Sequence, residues 1–317
     1  MRLALLGTGE FAVPALRELV RAGHVITVAI SQPDRPAGRG RTVQPTPVHA
    51  AAAELGVRHV QTEDINSLDV AELCAGSDLG VVVAFGQKLG SPVLRAFRLG
   101  CVNIHGSLLP KYRGAAPYQW AIINGEAVTG VTVFQVNERF DAGAIWSQAQ
   151  TPIGPTETAD ELHDRLARLG AELLVATLPD IESGRLQPRP QDQAVATRAP
   201  KLTRADSIID WTQPATRIVR RIHGLWSWPA ATCVLVPRRG KPERVLLARA
   251  MVADETAAPS AQTVPGVFCD DLTIQTGAGR IRLLEIKPAG GRLMSFADFT
   301  RGRHLAPADR LLAPDNP

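Results

Sequence analysis

The sequence is short of cysteine. Its four thiols, Cys74, Cys101, Cys233 and Cys269, are scattered and form no Cys-x-x-Cys pair. Neither a structural zinc site nor a disulfide framework is expected; a reducing compartment fits, and each thiol reads as a small buried residue. Long apolar runs are missing too: none reaches the roughly 18–20 residues of a membrane span. The opening "MRLALLGTGEF" is broken too soon by Gly7 and Gly9 for a signal peptide, and no Arg- and Ser-rich presequence is seen. A cytoplasmic location without a membrane partner is therefore expected. Repeats and low-complexity tracts are absent. An acidic residue is also lacking where a dinucleotide would need one. Gly7, Gly9 and Ala12 partly match the fingerprint, but the second strand ends in Ser31 and Gln32, so NAD is not expected.

What is present suits two domains with a sizeable core: 317 residues, 45% hydrophobic and 21% charged. The net charge of +4 is uneven. Residues 201–317 hold 17 Lys and Arg against 11 Asp and Glu, whereas residues 1–200 hold 18 against 20. A basic back half is either a solvated Arg-rich surface or a face for an anionic macromolecule.

The front half alternates strand and helix signals. "RLALLG", "VITVAIS", "LGVVVAFG" and "LGCVNIHG" are short apolar runs. "VPALRELVRAG", "PVHAAAAELG" and "PYQWAIING" have helical spacing, and "TADELHDRLARLGAELLVATLPDI" is a long amphipathic helix with Thr158 and Glu161 as a capping box. This pattern predicts a Rossmann-like α/β fold, with a mostly parallel sheet and helices on both faces. Near residue 200 the texture changes. "QPRPQDQAVATRAPKLTRADSIIDW" has no core pattern and reads as a connector. Beyond it, "ATCVLV", "RVLLARAMV", "PGVFC", "LTIQTG" and "RIRLLEIKP" predict a small β-barrel of the oligonucleotide-binding sort. The expected division is residues 1–200, a linker at 201–212, and a basic β domain at 213–317.

One stretch concentrates chemistry: "NIHGSLLPKYRGAAP", residues 103–117. Alternate residues of a strand share a face, so Asn103 and His105 emerge together at the C-terminal end of a buried strand, where open α/β sheets bind ligands. A carboxamide and an imidazole suit acyl transfer, through donation to a developing oxyanion and through proton movement. Ser107 lacks a Gly-x-Ser-x-Gly elbow and is not an expected nucleophile. Asp141, in "NERFDAG" after the next strand, is the expected third member, a carboxylate that fixes the imidazole tautomer and favours its charged form. The alternative is that Asn103 and His105 only satisfy the end of the strand.

The run "VNIHGSLLPKYRGAAP" with "DAG" some twenty-five residues on resembles the formyltransferase family that uses 10-formyltetrahydrofolate. The resemblance implies that Asn103, His105 and Asp141 are the catalytic set, and that Ser107, Leu108, Leu109 and Pro110 line the folate site. It implies no metal. "SQPDRPAGRGRTVQPTPV", residues 31–48, resembles the basic loop of those members that formylate methionyl-tRNA. "KLTRADSIIDW" followed by a basic β domain resembles their linker and tRNA-binding domain. Initiator methionyl-tRNA is thus the expected partner, with Arg35, Arg39, Arg41 and Lys201 in contact with it, and no obligate protein partner is implied. Read physically, the loop at 32–47 has proline-stiffened stems and arginines able to bind phosphate or stack on bases, though its composition alone also fits a solvated loop. The chain departs from the family's usual pattern at Gly9, Arg139 and Ala144. Two further readings stay open: an amino-sugar nucleotide formyltransferase of the same family, and a folate- or RNA-binding module without activity.

Overall fold

The computed structural model describes residues 1–37, 42–260 and 264–314. They divide into two compact units. The first comprises residues 1–117, 128–152 and 163–199, and the second residues 118–127, 153–162 and 200–317.

The first unit is built on a seven-stranded sheet. Its strands are β1 (Arg2–Gly7), β2 (Val25–Ser31), β3 (His59–Gln61), β4 (Leu79–Val83), β5 (Cys101–His105), β6 (Val128–Gln135) and β7 (Ile145–Pro152). They lie in the order β7-β6-β5-β4-β1-β2-β3. The five from β3 to β5 are parallel, and β6 and β7 add antiparallel edges. The mostly parallel, helix-covered sheet is the expected fold class. Strands β1 and β4 are almost wholly buried, which is why they read as continuous apolar runs rather than alternating ones.

Helix α1 (Val13–Arg21) starts with Pro14 in its first turn and buries Ala15, Leu16 and Leu19. Helix α2 (Pro47–Glu54) is capped by the Thr46 hydroxyl, which accepts from the His49 amide. Helix α3 (Pro117–Asn124) belongs almost entirely to the second unit. Helix α4 (Ala159–Ser183) begins with the expected capping box: the Thr158 amide donates to Glu161 at 2.9 Å. Further along α4, Gly170 lies so close to β5 that an added Cβ would stand 2.5 Å from Ile104 Cγ2. Ile104 points toward this helix, so its strand neighbours Asn103 and His105 point to the other face.

The second unit holds α5 (Ala215–Leu225) and an antiparallel sheet. Its strands are β8 (Ala231–Val236), β9 (Glu243–Asp254), β10 (Ile274–Gln275), β11 (Arg280–Pro288), β12 (Met294–Ser295) and β13 (Arg310–Leu312). The order is β10-β11-β9-β8-β13, with β12 on β11. Register shifts between β9 and β11 at Leu247/Arg249 and Arg249/Ala250 coil the sheet. Both outer strands meet residues 266–268: Gln275 N donates to Val267 O and Leu311 N to Gly266 O. The sheet therefore curls into a barrel-like form with paired edges. Ile218, Val219, Ile222 and Leu225 form the buried stripe of α5. Helix α6 (Phe296–Arg303) follows β12.

Candidate active site

Strand β5 delivers Asn103 and His105 as expected. Asn103 pairs in register with Val82 on one side and Phe134 on the other, and His105 with Thr132. Asn103 is half-buried, and among the described residues its carboxamide has no hydrogen-bond partner. His105 is 7% exposed, with the edge of its ring against Phe134.

Two contacts define the imidazole. Nε2 lies 2.8 Å from the backbone oxygen of Tyr112. A carbonyl only accepts, so Nε2 carries a proton. Nδ1 faces Asp141 Oδ2 at 3.8 Å, within ion-pair range but beyond a hydrogen bond. The tautomer is thus set by Tyr112, a residue that sequence reasoning passed over. Tyr112 and Asp141 both adopt left-handed backbone, with φ of 62° and 47°. For residues other than glycine such conformations cost on the order of 1 kcal/mol or more, and they gather at functional sites.

Asp141 Oδ2 also accepts from Gly114 N at 2.8 Å. Gly143 of the same turn has no room for a side chain, since a Cβ would stand 1.6 Å from Gln135 O. The Asp-x-Gly spacing is therefore a packing requirement as well as a motif.

The turn at 107–110 is held from inside. Ser107 is fully buried, and its hydroxyl donates to Lys111 O at 2.7 Å. Leu109 packs with Phe134 and Ile145, and the Leu109–Pro110 peptide is cis. Leu108 and Pro110 are part-exposed. The Thr132 hydroxyl donates to Ser107 O and accepts from Leu109 N at 3.0 Å. Sequence reasoning missed Thr132 because it looks like any β-branched strand residue.

The segment after α4 was expected to be a mere connector, but residues 189–199 return to the site. Arg198–Ala199 pairs in parallel with Arg113–Gly114, Thr197 Oγ1 accepts from Tyr112 N at 2.8 Å, and Gln191 bonds the turn at Asp141. The segment is held by single polar bonds rather than an apolar face, so hydrophobic periodicity carried no sign of it.

The basic loop is a hairpin where it is described: Arg35–Ala37 pairs antiparallel with Thr42–Gln44. Its base is tied by Asp34, which accepts from Thr46 N at 2.9 Å and from His49 Nδ1 at 3.0 Å. Burial raises the Asp34 carboxyl, but hydrogen bonds from Thr46, His49 and Gln61 hold it below the usual range. Arg35 is exposed and donates to Gln32 at 3.0 Å. Arg39 and Arg41 lie outside the described residues. Lys201 is exposed and belongs to the second unit. Among the described residues, no group of three His, Cys, Asp or Glu is placed to hold a metal ion, and no helix is long and apolar enough to cross a membrane.

Two family models match, one after the other along the chain. Residues 1–178 match the model of the formyl transferase family, and residues 201–304 that of the formyl transferase C-terminal domain. A methionyl-tRNA formyltransferase from Halorhodospira halophila is 44% identical over 309 residues, spanning 97% of this chain and 98% of its own. Another of that name from Heliobacterium modesticaldum is 41% identical over 317 residues, spanning 98% and 99%. Among solved structures, an N-formyltransferase from Helicobacter canadensis, in complex with folinic acid and dTDP-3-aminofucose, superposes with a TM-score of 0.64. It covers 89% of this chain and 98% of its own at 18% identity, a likeness of fold alone. The chain belongs to the formyl transferase family, in the group named methionyl-tRNA formyltransferase.

Proposed function

We propose that this chain transfers the formyl group of 10-formyltetrahydrofolate to the α-amine of initiator methionyl-tRNA, for translation initiation. The observation that carries this reading is the half-buried, partnerless Asn103 carboxamide two residues from an imidazole held between Tyr112 O and Asp141. The relatives' name supplies the acceptor.

When bound, 10-formyltetrahydrofolate supplies the formyl carbon. Ser107, Leu108, Leu109 and Pro110 form the wall beside it. Leu108 and Pro110 offer apolar surface, while Ser107 and Leu109 hold the turn. The attacking amine must be neutral. A free α-amine titrates near ~7.7–8.0 and esterification lowers that, so no strong base is needed. Asn103 donates an N–H to the formyl oxygen as negative charge grows there. His105 holds or moves a proton at Nδ1, the nitrogen that Tyr112 leaves available. Asp141, facing Nδ1, would balance the charge of an imidazolium there. The 3.8 Å gap leaves room to tighten when substrate binds.

Residues 1–200 would carry the chemistry and residues 213–317 the tRNA, joined through 201–212. Arg35, Arg39, Arg41 and Lys201 would contact the tRNA, the net +6 of residues 201–317 would face its phosphates, and a tRNA acceptor supports a cytoplasmic location. An amino-sugar nucleotide acceptor is the second reading, favoured by the aminofucose of the Helicobacter structure. It gives no reason for an arginine-bearing hairpin. The test is release of tetrahydrofolate on mixing the protein and 10-formyltetrahydrofolate with Met-tRNA or with a dTDP-amino sugar. Release with Met-tRNA alone is expected. Release with the sugar alone would favour the second reading, and release with neither a binding module.

A further inference from the structure

Gln191 is 7% exposed and lies 50 residues after Asp141, yet its carboxamide is spent on the Asp141 turn. Nε2 donates to Asp141 O at 2.9 Å and to Gly143 O at 2.7 Å. Oε1 accepts from Arg113 Nε at 3.0 Å and Nη2 at 2.6 Å. Two N–H donors and two lone pairs are all a primary amide has, and all four are used. Arg113 is itself steadied by Gln193 Oε1 at 2.9 Å, and the next residue, Gly114, gives its amide to the Asp141 carboxylate. A ring therefore runs from Asp141 Oδ2 through Gly114 and Arg113 to Gln191, and back to the Asp141 carbonyl.

We propose that Gln191, seated on Arg113, is the positioning residue that aims the Asp141 carboxylate at His105. The physical need is clear. Asp141 sits in left-handed backbone, which has a conformational cost for a residue other than glycine. The two N–H bonds from Gln191 hold it there. Gln191 bonds the turn through its backbone carbonyls, so its loss leaves the carboxylate chemically intact with the Gly114 amide as its remaining anchor. Arg113 adds a charge on the same side. Burial and then Arg139 lower its guanidinium pKa, and Asp141 acts the other way, so the two charges feel each other.

This inference rests on the reading of Asp141 as a participant beside His105, and the experiment separates the two. Four variants are compared in formylation of Met-tRNA: Gln191→Ala, Gln191→Glu, Asp141→Asn, and Gln191→Ala with Asp141→Asn. Gln191→Glu still accepts from Arg113 but has no N–H to give, and it stands in if Gln191→Ala does not fold. Both Gln191 variants should lose on the order of 10- to 100-fold in kcat, the scale of a misplaced catalytic group, with the KM for either substrate little changed. Their pH–rate profiles should move in the same direction as that of Asp141→Asn. The double variant should be no slower than Asp141→Asn alone. Normal kcat in both Gln191 variants, or losses that multiply in the double variant, would overturn the proposal while leaving Asp141 in its role. Wild-type turnover in Asp141→Asn would overturn both.

Discussion

His105 is tied to the backbone of Tyr112, Nε2 to O at 2.8 Å, and not directly to a carboxylate. A backbone partner cannot change protonation. It therefore keeps a proton on Nε2 and leaves Nδ1 facing Asp141. The Tyr112 carbonyl is aimed by a left-handed residue whose amide is held by Thr197 Oγ1 at 2.8 Å.

Thr197→Val keeps the shape and removes that acceptor. An unpaired buried amide costs about 1–3 kcal/mol, so the midpoint of denaturant unfolding should drop. Turnover should drop more than either KM changes, because the loosened group is Tyr112. Unchanged kcat with lowered stability would make Thr197 a purely structural support.

Gly143→Ala drives a methyl into Gln135 O. Backbone on both sides leaves no flexible atom to yield, so the Asp141 turn must move. A stability loss of about 1–3 kcal/mol or more is expected, with a fall in kcat of at least tenfold. Circular dichroism melts and single-turnover rates measure the two. An alanine variant with wild-type rate would show that the turn's position does not matter.

Much of the first sheet was legible in the sequence because its strands are short apolar runs. "VITVAIS" is β2 itself, and "LGVVVAFG" and "LGCVNIHG" contain β4 and β5. In the second unit "ATCVLV" and "RIRLLEIKP" are β8 and β11, and "RVLLARAMV" lies within β9, but "LTIQTG" holds only the two residues of β10 and "PGVFC" forms isolated bridges rather than a strand. What escaped was short or polar. Strand β3 has three residues, and β12 has two. The site divided likewise. Asn103, His105 and Asp141 show through spacing and chemistry. Tyr112 acts through its carbonyl, which any residue has. Gln191 and Thr197 act through single bonds from a segment without periodicity. Asp34, the one acid in residues 32–47, ties the base of that loop.

The second unit carries its own pH dependence. His223 is 3% exposed, and its Nε2 accepts from Ala250 N at 3.2 Å. Burial above all, and then the Arg249 charge, lower its pKa to about 4, and the bond that Nε2 accepts also favours the neutral ring. The unfolded chain protonates first, near pH 6.5. Stability is thus complete above about pH 6.5 and is lost as pH falls toward 4, by on the order of 3 kcal/mol. His223→Gln can still accept from Ala250 and does not titrate. Urea unfolding between pH 7 and pH 4 should show a steeper decline in the wild type than in the variant. Parallel declines would mean that His223 contributes nothing to the slope.

The arginines of residues 201–317 should act mainly on phosphates. Replacing several exposed ones with Gln should weaken tRNA binding and flatten its dependence on salt. Initiator and elongator tRNA should suffer alike, because phosphate contacts position rather than specify. Arg39→Ala should instead narrow the ratio of kcat/KM between the two tRNAs by about 1–3 kcal/mol, the order of a good base contact. Kinetics at two salt concentrations separate these effects. An equal loss on both tRNAs for Arg39→Ala would make residues 32–47 another phosphate clamp.

The proposed transfer depends most on Asn103 and His105 acting on the reacting formyl group. The direct measurement is the single-turnover rate of Met-tRNA formylation, with both substrates saturating, for Asn103→Ala and His105→Ala. Each should lose on the order of 3 kcal/mol or more of barrier lowering, a rate drop above a hundredfold, with binding of 10-formyltetrahydrofolate little changed in Asn103→Ala. Near-normal rates in either variant would contradict the account.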